Sequence, residues 1–178
     1  MSSYSTNPQP VSSGLNAPVP AIGTEPDLEI LLLGSMLFAA PADARRAVSL
    51  VELDDYNKPD RRTVHSAIAG LLSAGRLHDG TAVDDEIRRQ GLYTDPVRRT
   101  LLDAITCGPA SNRVAPWSYA TALVARSYRT RYEQLGKTLV EAADTFPEGD
   151  LLPLLRKAGV DAVRHARRLA ELRGEEAA

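Results

Sequence analysis

The chain has 178 residues, of which 43% are hydrophobic and 25% charged, and its formal charge at pH 7 is −2. This size and composition suit one soluble globular domain with a tail, whereas dedicated nucleic-acid-binding domains are usually clearly basic. The single cysteine, Cys107, excludes an internal disulfide and favours a reducing compartment.

The N-terminal segment, residues 1–25, is rich in Pro, Ser, Asn and Gly and has no Lys or Arg. It is predicted to be a disordered tail, and the absence of basic residues argues against a secretory signal. The apolar run that follows, Ile30 to Phe38, is far shorter than the ~20 residues that cross a bilayer. We therefore expect a cytoplasmic protein without a membrane segment.

Residues 26–113 are predicted to form a globular helical subdomain, whose first three helices have clear starting signals. Pro26-Asp27 precedes LEILLLGSMLF, which is apolar on nearly every helical face and is expected to be central. Pro41 begins a second helix. The turn DDYN, residues 54–57, leads to a third helix that begins at Pro59 and ends at Gly75.

Two further helices complete this subdomain. Thr81 is predicted to cap the fourth, whose acidic start and basic end match the helix dipole, and Gly91 ends it. Pro96 begins the fifth, which ends at Gly108-Pro109. No convincing alternation of apolar and polar residues occurs anywhere, so the predicted fold class is all-α.

The last third of the chain, residues 114–173, is predicted to form a long antiparallel helical hairpin, with residues 174–178 as a tail. Two apolar stripes at helical spacing flank the loop FPEGD, residues 146–150. Because two helices alone bury little surface, we expect this hairpin to pair with a partner. The candidate interface residues are Leu123, Tyr128, Leu135, Leu139, Leu151, Leu155 and Leu169.

Gly136-Lys137-Thr138 ends like a phosphate-binding P-loop, G-x-x-x-x-G-K-[ST]. The first glycine of that motif is replaced by Arg131, and the preceding segment has helical rather than strand periodicity. We interpret the tripeptide as part of a helix, so no nucleotide site and no cofactor are predicted.

Other polar residues give no catalytic pattern. Asp54-Asp55 and Asp84-Asp85-Glu86 are interpreted as a turn and a helix start, with an acid/base or metal site as the alternative. His65 and His78 have no neighbouring nucleophile, and Cys107 is expected to be a buried thiol. The protein is therefore predicted not to be an enzyme and to have no metal site.

Two basic clusters are interpreted as solvated or salt-bridged surface, with contacts to an anion or to DNA as the alternative. One is the segment KPDRR, residues 58–62, and the other lies in the first helix of the hairpin. The candidate contact residues are Lys58, Arg61, Arg62, Arg126, Arg129 and Arg131.

Residues 26–173 resemble the N-terminal domain of the DnaB-family replicative helicases. The resemblance begins at PDLE, residues 26–29, and is strongest in LDDYNKPDRRTVHSAI, residues 53–68. It continues through the order Gly75, Asp79, Val83 and Glu86-Ile87, and then through PASN (109–112) and Tyr119-Ala120. Arg61 and His65 depart from the family pattern, which has a histidine and an aromatic residue there. The segment before the fifth helix is not recognisable.

The resemblance implies an all-α domain in which hairpins pair into dimers and three dimers form a collar above a motor ring. It also implies contacts with primase or the replicative helicase, since the helicase-binding domain of bacterial primase resembles the same architecture. The P-loop, ATPase and DNA translocation belong to the family's motor domain. The sequence lacks that domain, so these functions are not carried over.

Three hypotheses follow. The first is a non-enzymatic interaction module, a homodimer or trimer of dimers, that acts as an accessory or regulator of DNA replication. The second is an accessory protein that binds nucleic acid, weakly or indirectly, through the basic clusters. The third is an N-terminal fragment of a full ATP-dependent helicase, although the ending RGEEAA reads as a natural acidic terminus.

Overall fold

The structure is a computed structural model that describes residues 27–107 and 114–174. In these ranges it contains helices and no strand, which confirms the all-α prediction. The predicted N-terminal tail, the helix end at Gly108-Pro109 and residues 175–178 lie outside the described residues. The helices are α1 (Leu28–Phe38), α2 (Pro41–Leu50), α3 (Pro59–Ser73), α4 (Gly80–Arg89), α5 (Asp95–Cys107), α6 (Ala115–Thr145) and α7 (Glu148–Arg173), with a short 3₁₀ turn at Leu53–Asp55.

The first helix is the centre of the bundle, as its uniformly apolar sequence predicts. Leu32, Leu33 and Met36 are completely buried, and α1 packs against α2, α3, α5 and α6. Asp27 caps its start, since the Asp27 carboxylate accepts a hydrogen bond from the Glu29 amide at 3.0 Å.

The boundaries of α2, α3 and α4 follow the sequence signals with one correction. Pro41 and Pro59 occupy the first positions of α2 and α3. Gly75 and Gly91 end helices with φ angles of 66° and 69°, where glycine is favoured. The cap of α4 is Asp79 rather than Thr81, because the Asp79 carboxylate accepts a hydrogen bond from the Ala82 amide at 2.8 Å.

Helices α6 and α7 form the predicted antiparallel hairpin. The connection is only Phe146-Pro147, because Glu148, Gly149 and Asp150 of the predicted loop already belong to α7. Near the base, Thr121 donates a hydrogen bond to the Leu172 carbonyl at 3.4 Å. The first half of α6 also packs on α1 and α2, and its residues Ala120, Leu123 and Val124 join the main core. The base of the hairpin is therefore part of the bundle.

Within the described ranges, no helix combines the length and the apolar character needed to cross a membrane.

Candidate functional site

The outer half of the hairpin has almost no core of its own. Between residues 131 and 162, all of which the structure describes, Ala142 is the only buried residue. The remaining buried residues of α6 lie between Ala115 and Ser127, and those of α7 begin at His165. Because helices in proteins owe most of their stability to packing of an apolar face, this outer half is poorly supported by its own chain.

Each hairpin helix carries an exposed stripe of apolar and small residues at helical spacing. In α7, Leu152 and Leu155 are 53% and 51% exposed, and Val163 is 50% exposed. In α6, Tyr132 and Val140 are 49% and 70% exposed. The full stripes are Tyr132, Gly136, Val140 and Ala143 in α6, and Leu152, Leu155, Gly159 and Val163 in α7. We call these eight residues the outer hairpin face.

Helix geometry puts both stripes on one side of the hairpin. At about 100° per residue, the α6 stripe is rotated by about a quarter turn from the residues that meet α7, such as Leu135 and Leu139. The α7 stripe is rotated in the same sense, also by about a quarter turn, from Ala158 and Ala162. Because the helices are antiparallel, equal senses of rotation bring the stripes to the same side.

Of the predicted interface residues, two are buried, four are partly buried and one is exposed. Leu123 is completely buried and Leu169 is 8% exposed, so both belong to the chain's own packing. Three leucines are partly buried, as is Tyr128, whose ring stacks on His165 at a centroid distance of 6.4 Å. The leucines are Leu135, Leu139 and Leu151.

Leu155 is therefore the candidate that lies on the outer hairpin face. The sequence analysis assigned α7 a single stripe and missed Leu152, Gly159 and Val163. Their spacing in the sequence was the available signal, because it defines a second apolar face beside the one that meets α6.

The Gly136-Lys137-Thr138 tripeptide lies in the middle of α6, as predicted. All three residues are exposed, and the Lys137 ammonium pairs with Glu133 at 2.7 Å, one helical turn earlier. A side chain added at Gly136 would meet no atom within 4 Å, so nothing in the chain's own packing requires glycine at this position.

At the base of the hairpin, a buried carboxylate ties the 3₁₀ turn to both long helices. Asp55 accepts hydrogen bonds from the Ser127 hydroxyl of α6 at 2.7 Å and from the Arg168 guanidinium of α7 at 2.7 and 3.1 Å. The Glu52 amide and His165 Nε2 also contact it, at 2.9 and 3.1 Å. Burial opposes ionisation, but the hydrogen bonds from Arg168 and Ser127 outweigh it and lower the pKa of Asp55.

His165 is held in this network as a neutral ring. Burial lowers its pKa first, and the cations Arg168 and Arg131 lower it further, although Asp55 opposes them. Arg168 Nη2, which can only donate, lies 2.6 Å from Nε2 and 3.1 Å from Nδ1 of this ring, and a neutral ring has one nitrogen that can accept such a hydrogen bond.

A second buried carboxylate, Glu29, joins α1 to α3 and α6. It is completely buried, and it pairs with Arg61 at 2.7 Å and with Arg126 at 2.5 Å. Arg61 also contacts Asp27 at 2.9 Å. A buried charge requires such partners because desolvation without compensation costs several kcal/mol. Arg61 and Arg126 therefore serve as counter-ions of Glu29 inside the fold. Binding an outside anion would be a secondary role for them.

Of the other candidate basic residues, Lys58 and Arg129 are exposed, as a solvated surface would require. Arg62 donates two hydrogen bonds to the Tyr56 carbonyl, at 2.9 and 3.1 Å. Arg131 lies 3.9 Å from Asp55. The structure therefore brings Arg62, Arg126 and Arg131, from two separate sequence clusters, to the junction between the 3₁₀ turn and α6.

The remaining polar candidates form no catalytic arrangement in the part of the chain that the structure describes. Asp54 is exposed while Asp55 is ion-paired, so the two do not act as a carboxylate pair. His65 is buried and hydrogen-bonds the Tyr56 hydroxyl through Nδ1 at 3.0 Å. Burial lowers the pKa of His65 to about 4.

No group of three potential metal ligands occurs among residues 27–107 and 114–174. Cys107 is exposed at the end of α5 and is not the buried thiol that the sequence analysis expected. His78 is buried, and neither of its ring nitrogens has a hydrogen-bond partner in the described part of the chain.

These features define an all-α domain in which a helical bundle carries a protruding hairpin with one apolar side. The fold is that of the N-terminal domain of DnaB-type replicative helicases. The chain is similar to the crystal structure of the N-terminal domain of DnaB helicase from Mycobacterium tuberculosis, with 25% sequence identity and a TM-score of 0.61. The match covers 78% of this chain and 98% of that one.

This similarity confirms the resemblance inferred from the sequence. No protein-family model matches the sequence, and no curated protein matches it.

Proposed function

We propose that this protein is a non-enzymatic interaction module that forms a homodimer through the outer hairpin face and acts on the DNA replication machinery. Its partner would be the replicative helicase or primase, and its role that of an accessory or regulator. The observation that carries the proposal is the protruding hairpin, which exposes apolar residues from both helices on one side and has almost no core of its own.

A second copy of the chain is the occupant that best fits this face. The exposed residues extend over about 12 positions in each helix, which is ~18 Å at 1.5 Å per residue. Two such faces, packed across a two-fold axis, form a self-complementary contact with a hydrophobic centre. Polar residues such as Glu133 and Arg156 lie beside the stripes and are exposed, as expected for the rim of an interface.

Two glycines on this face support close helix packing. Gly136 and Gly159 lie in the middle of α6 and α7, and a side chain at either position would meet no atom of the chain within 4 Å. A glycine inside a helix costs ~1 kcal/mol relative to alanine, and the monomer gives no reason for that cost. Close approach of a partner helix supplies one.

The link to replication is supported by the similarity to the DnaB N-terminal domain. The resemblance to these helicases implies domains that pair through their hairpins and form a collar in contact with primase. A separate copy of such a domain could bind that collar or the primase domain of similar architecture. Neither role requires chemistry by this chain.

The direct test is to mix the purified full chain with the replicative helicase and, separately, with the primase of the same cells. Size-exclusion chromatography with light scattering should show a complex with one of them, and helicase or primase activity should change when the chain is added. If the chain forms a folded dimer but binds neither protein at tens of micromolar, the replication role is wrong while dimerisation stands.

A further inference from the structure

The hairpin carries its charges unevenly along its length. Its tip, residues 138–155, contains four acidic residues and no Lys or Arg. All four are exposed, and no ion pair joins their carboxylates to another residue in the part of the chain that the structure describes. The four residues are Glu141, Asp144, Glu148 and Asp150.

The inner part of the hairpin, residues 126–137 and 156–173, has the opposite charge at its surface. Its seven exposed cations exceed its three acids, Glu133, Asp161 and Glu171, by four charges. Glu133 and Asp161 each pair with a cation of their own helix, at 2.7 and 3.3 Å. The seven cations are Arg129, Lys137, Arg156, Lys157, Arg164, Arg167 and Arg173.

The buried network at the hairpin base neither adds to this excess nor removes it. Five arginines and five carboxylates meet there, so the network is neutral as a whole. They are Arg61, Arg62, Arg126, Arg131 and Arg168, with Asp27, Glu29, Glu52, Asp54 and Asp55. The hairpin surface therefore has an acidic tip and a basic inner part.

Both kinds of charge reach the outer hairpin face. Glu148 lies one turn before Leu152 in the α7 stripe, and Asp144 lies one turn after Val140 at the edge of the α6 stripe. Arg129, which is exposed, continues the α6 stripe toward the base, one turn before its first residue. Carboxylates thus bound the apolar face at the tip, and a guanidinium bounds it at the base.

The distances along the hairpin make these two boundaries complementary. At 1.5 Å per residue, the centre of the outer hairpin face lies ~14 Å from the connection between the helices, Asp144 lies ~3 Å from it and Arg129 ~26 Å. A two-fold axis through that centre, perpendicular to the helices, brings the two α6 helices together in opposite directions. Asp144 of one copy then lies at the height of Arg129 of the other, with Glu148 at a similar height on α7.

We propose that two copies of the chain pair antiparallel, with the acidic tip of each hairpin against Arg129 of the other. This inference rests on the proposed dimerisation and adds its orientation and its ionic contacts. A parallel pair would instead bring Asp144 and Glu148 of both copies together, which places four carboxylates at one end of the interface. Like charges that meet across an interface are unfavourable, so the charges select the antiparallel orientation.

A charge exchange tests the orientation. Arg129→Glu and Asp144→Arg, alone and combined, are compared with the wild-type full chain by sedimentation equilibrium at low ionic strength. Each single change puts like charges at both symmetry-related contacts, so the dimer dissociation constant should rise about tenfold. The double variant restores opposite charges and should return to within about threefold of wild type. Arg99→Glu, at an exposed position of α5, controls for the change in net charge and should have less than about a twofold effect.

A second measurement needs no variant. Raising NaCl from about 0.05 to 0.5 M screens exposed charges, so it should weaken an antiparallel wild-type dimer about fivefold, whereas a parallel dimer would be tightened because its like charges are screened. A wild-type dimer that salt tightens, or a double variant as weak as the single ones, overturns the orientation and leaves dimerisation standing. A wild-type monomer at tens of micromolar overturns both.

Discussion

Replacing Asp55 by asparagine tests whether the buried network at the hairpin base holds the fold together. Asp55 Oδ1 contacts Ser127, His165 and Arg168, and Oδ2 accepts from Arg168 and the Glu52 amide. Asparagine keeps one acceptor oxygen, so its amide group must face at least two donors, such as Arg168 Nη1 and the Glu52 amide. These donors then lose their acceptor inside the protein.

The expected cost follows from these contacts. Each buried donor left without an acceptor costs about 1 to 3 kcal/mol, and removing one partner of a buried ion pair costs about 3 to 5 kcal/mol. We therefore expect Asp55→Asn to lower the free energy of unfolding by about 3 kcal/mol at pH 7. That is a large part of the ~5–15 kcal/mol typical of a folded domain.

The neighbouring residue supplies a matched control. The Asp54 side chain is 72% exposed and lies 3.8 Å from Arg62, so Asp54→Asn should change the free energy of unfolding by less than about 0.5 kcal/mol. Urea unfolding, followed by far-ultraviolet circular dichroism at one fixed protein concentration, measures both. A loss below about 1 kcal/mol in Asp55→Asn, or equal losses in the two variants, would refute the reasoning.

Three further changes have defined outcomes. The pKa of His65 falls from 6.5 to about 4 on folding, so the folded state excludes a proton that the unfolded state binds, and stability should fall by about 3 kcal/mol as the pH drops from 6.5 to 4. His65→Gln should flatten this dependence in urea unfolding at several pH values, and an unchanged slope would contradict the assignment. Leu33→Ala, at a completely buried position, should cost about 2 to 5 kcal/mol. Leu77→Ala, at a 69% exposed position, should cost less than about 0.5 kcal/mol, and similar losses would place Leu33 outside the core. Gly136→Ala should stabilise the isolated helix by about 1 kcal/mol but weaken dimerisation in sedimentation experiments, and unimpaired dimerisation would remove Gly136 from the interface.

Much of the fold could be predicted from local sequence signals. Pro41, Pro59, Gly75 and Gly91 act within one helical turn, so their meaning does not depend on distant residues. The central position of α1 follows from its apolar residues on nearly all faces. Asp79 was missed as a cap because Thr81, two residues later, is also a residue type that caps helices, and residue type alone does not fix the first residue of a helix.

The sites could be predicted only in part, because they depend on contacts between distant segments. Asp55 and Arg168 are 113 residues apart, and no local pattern connects them. The α7 stripes were merged because Leu151 and Leu155 share helical spacing. Which α7 residues face α6 and which face outward depends on the position of α6. The periodicity of α7 alone does not contain that information.

The basic clusters show the same limit. Arg61 and Arg126 look like surface charges in the sequence, yet both pair with the buried Glu29. The sequence signal that was available is Glu29 itself, a charged residue within an otherwise apolar helix. A buried acid requires counter-ions, and these arginines supply them.

The central claim, dimerisation through the outer hairpin face, is tested most directly by sedimentation equilibrium of the full chain and two variants. Leu155→Asp places a charge in the centre of that face, and Thr138→Asp adds the same charge at an exposed position of α6 outside the stripes. We predict a dimer at ten micromolar for the wild type and Thr138→Asp, and a folded monomer for Leu155→Asp, because a charge without a partner opposes burial at the interface. A wild-type monomer at tens of micromolar, or a Leu155→Asp protein that remains dimeric, would contradict the account.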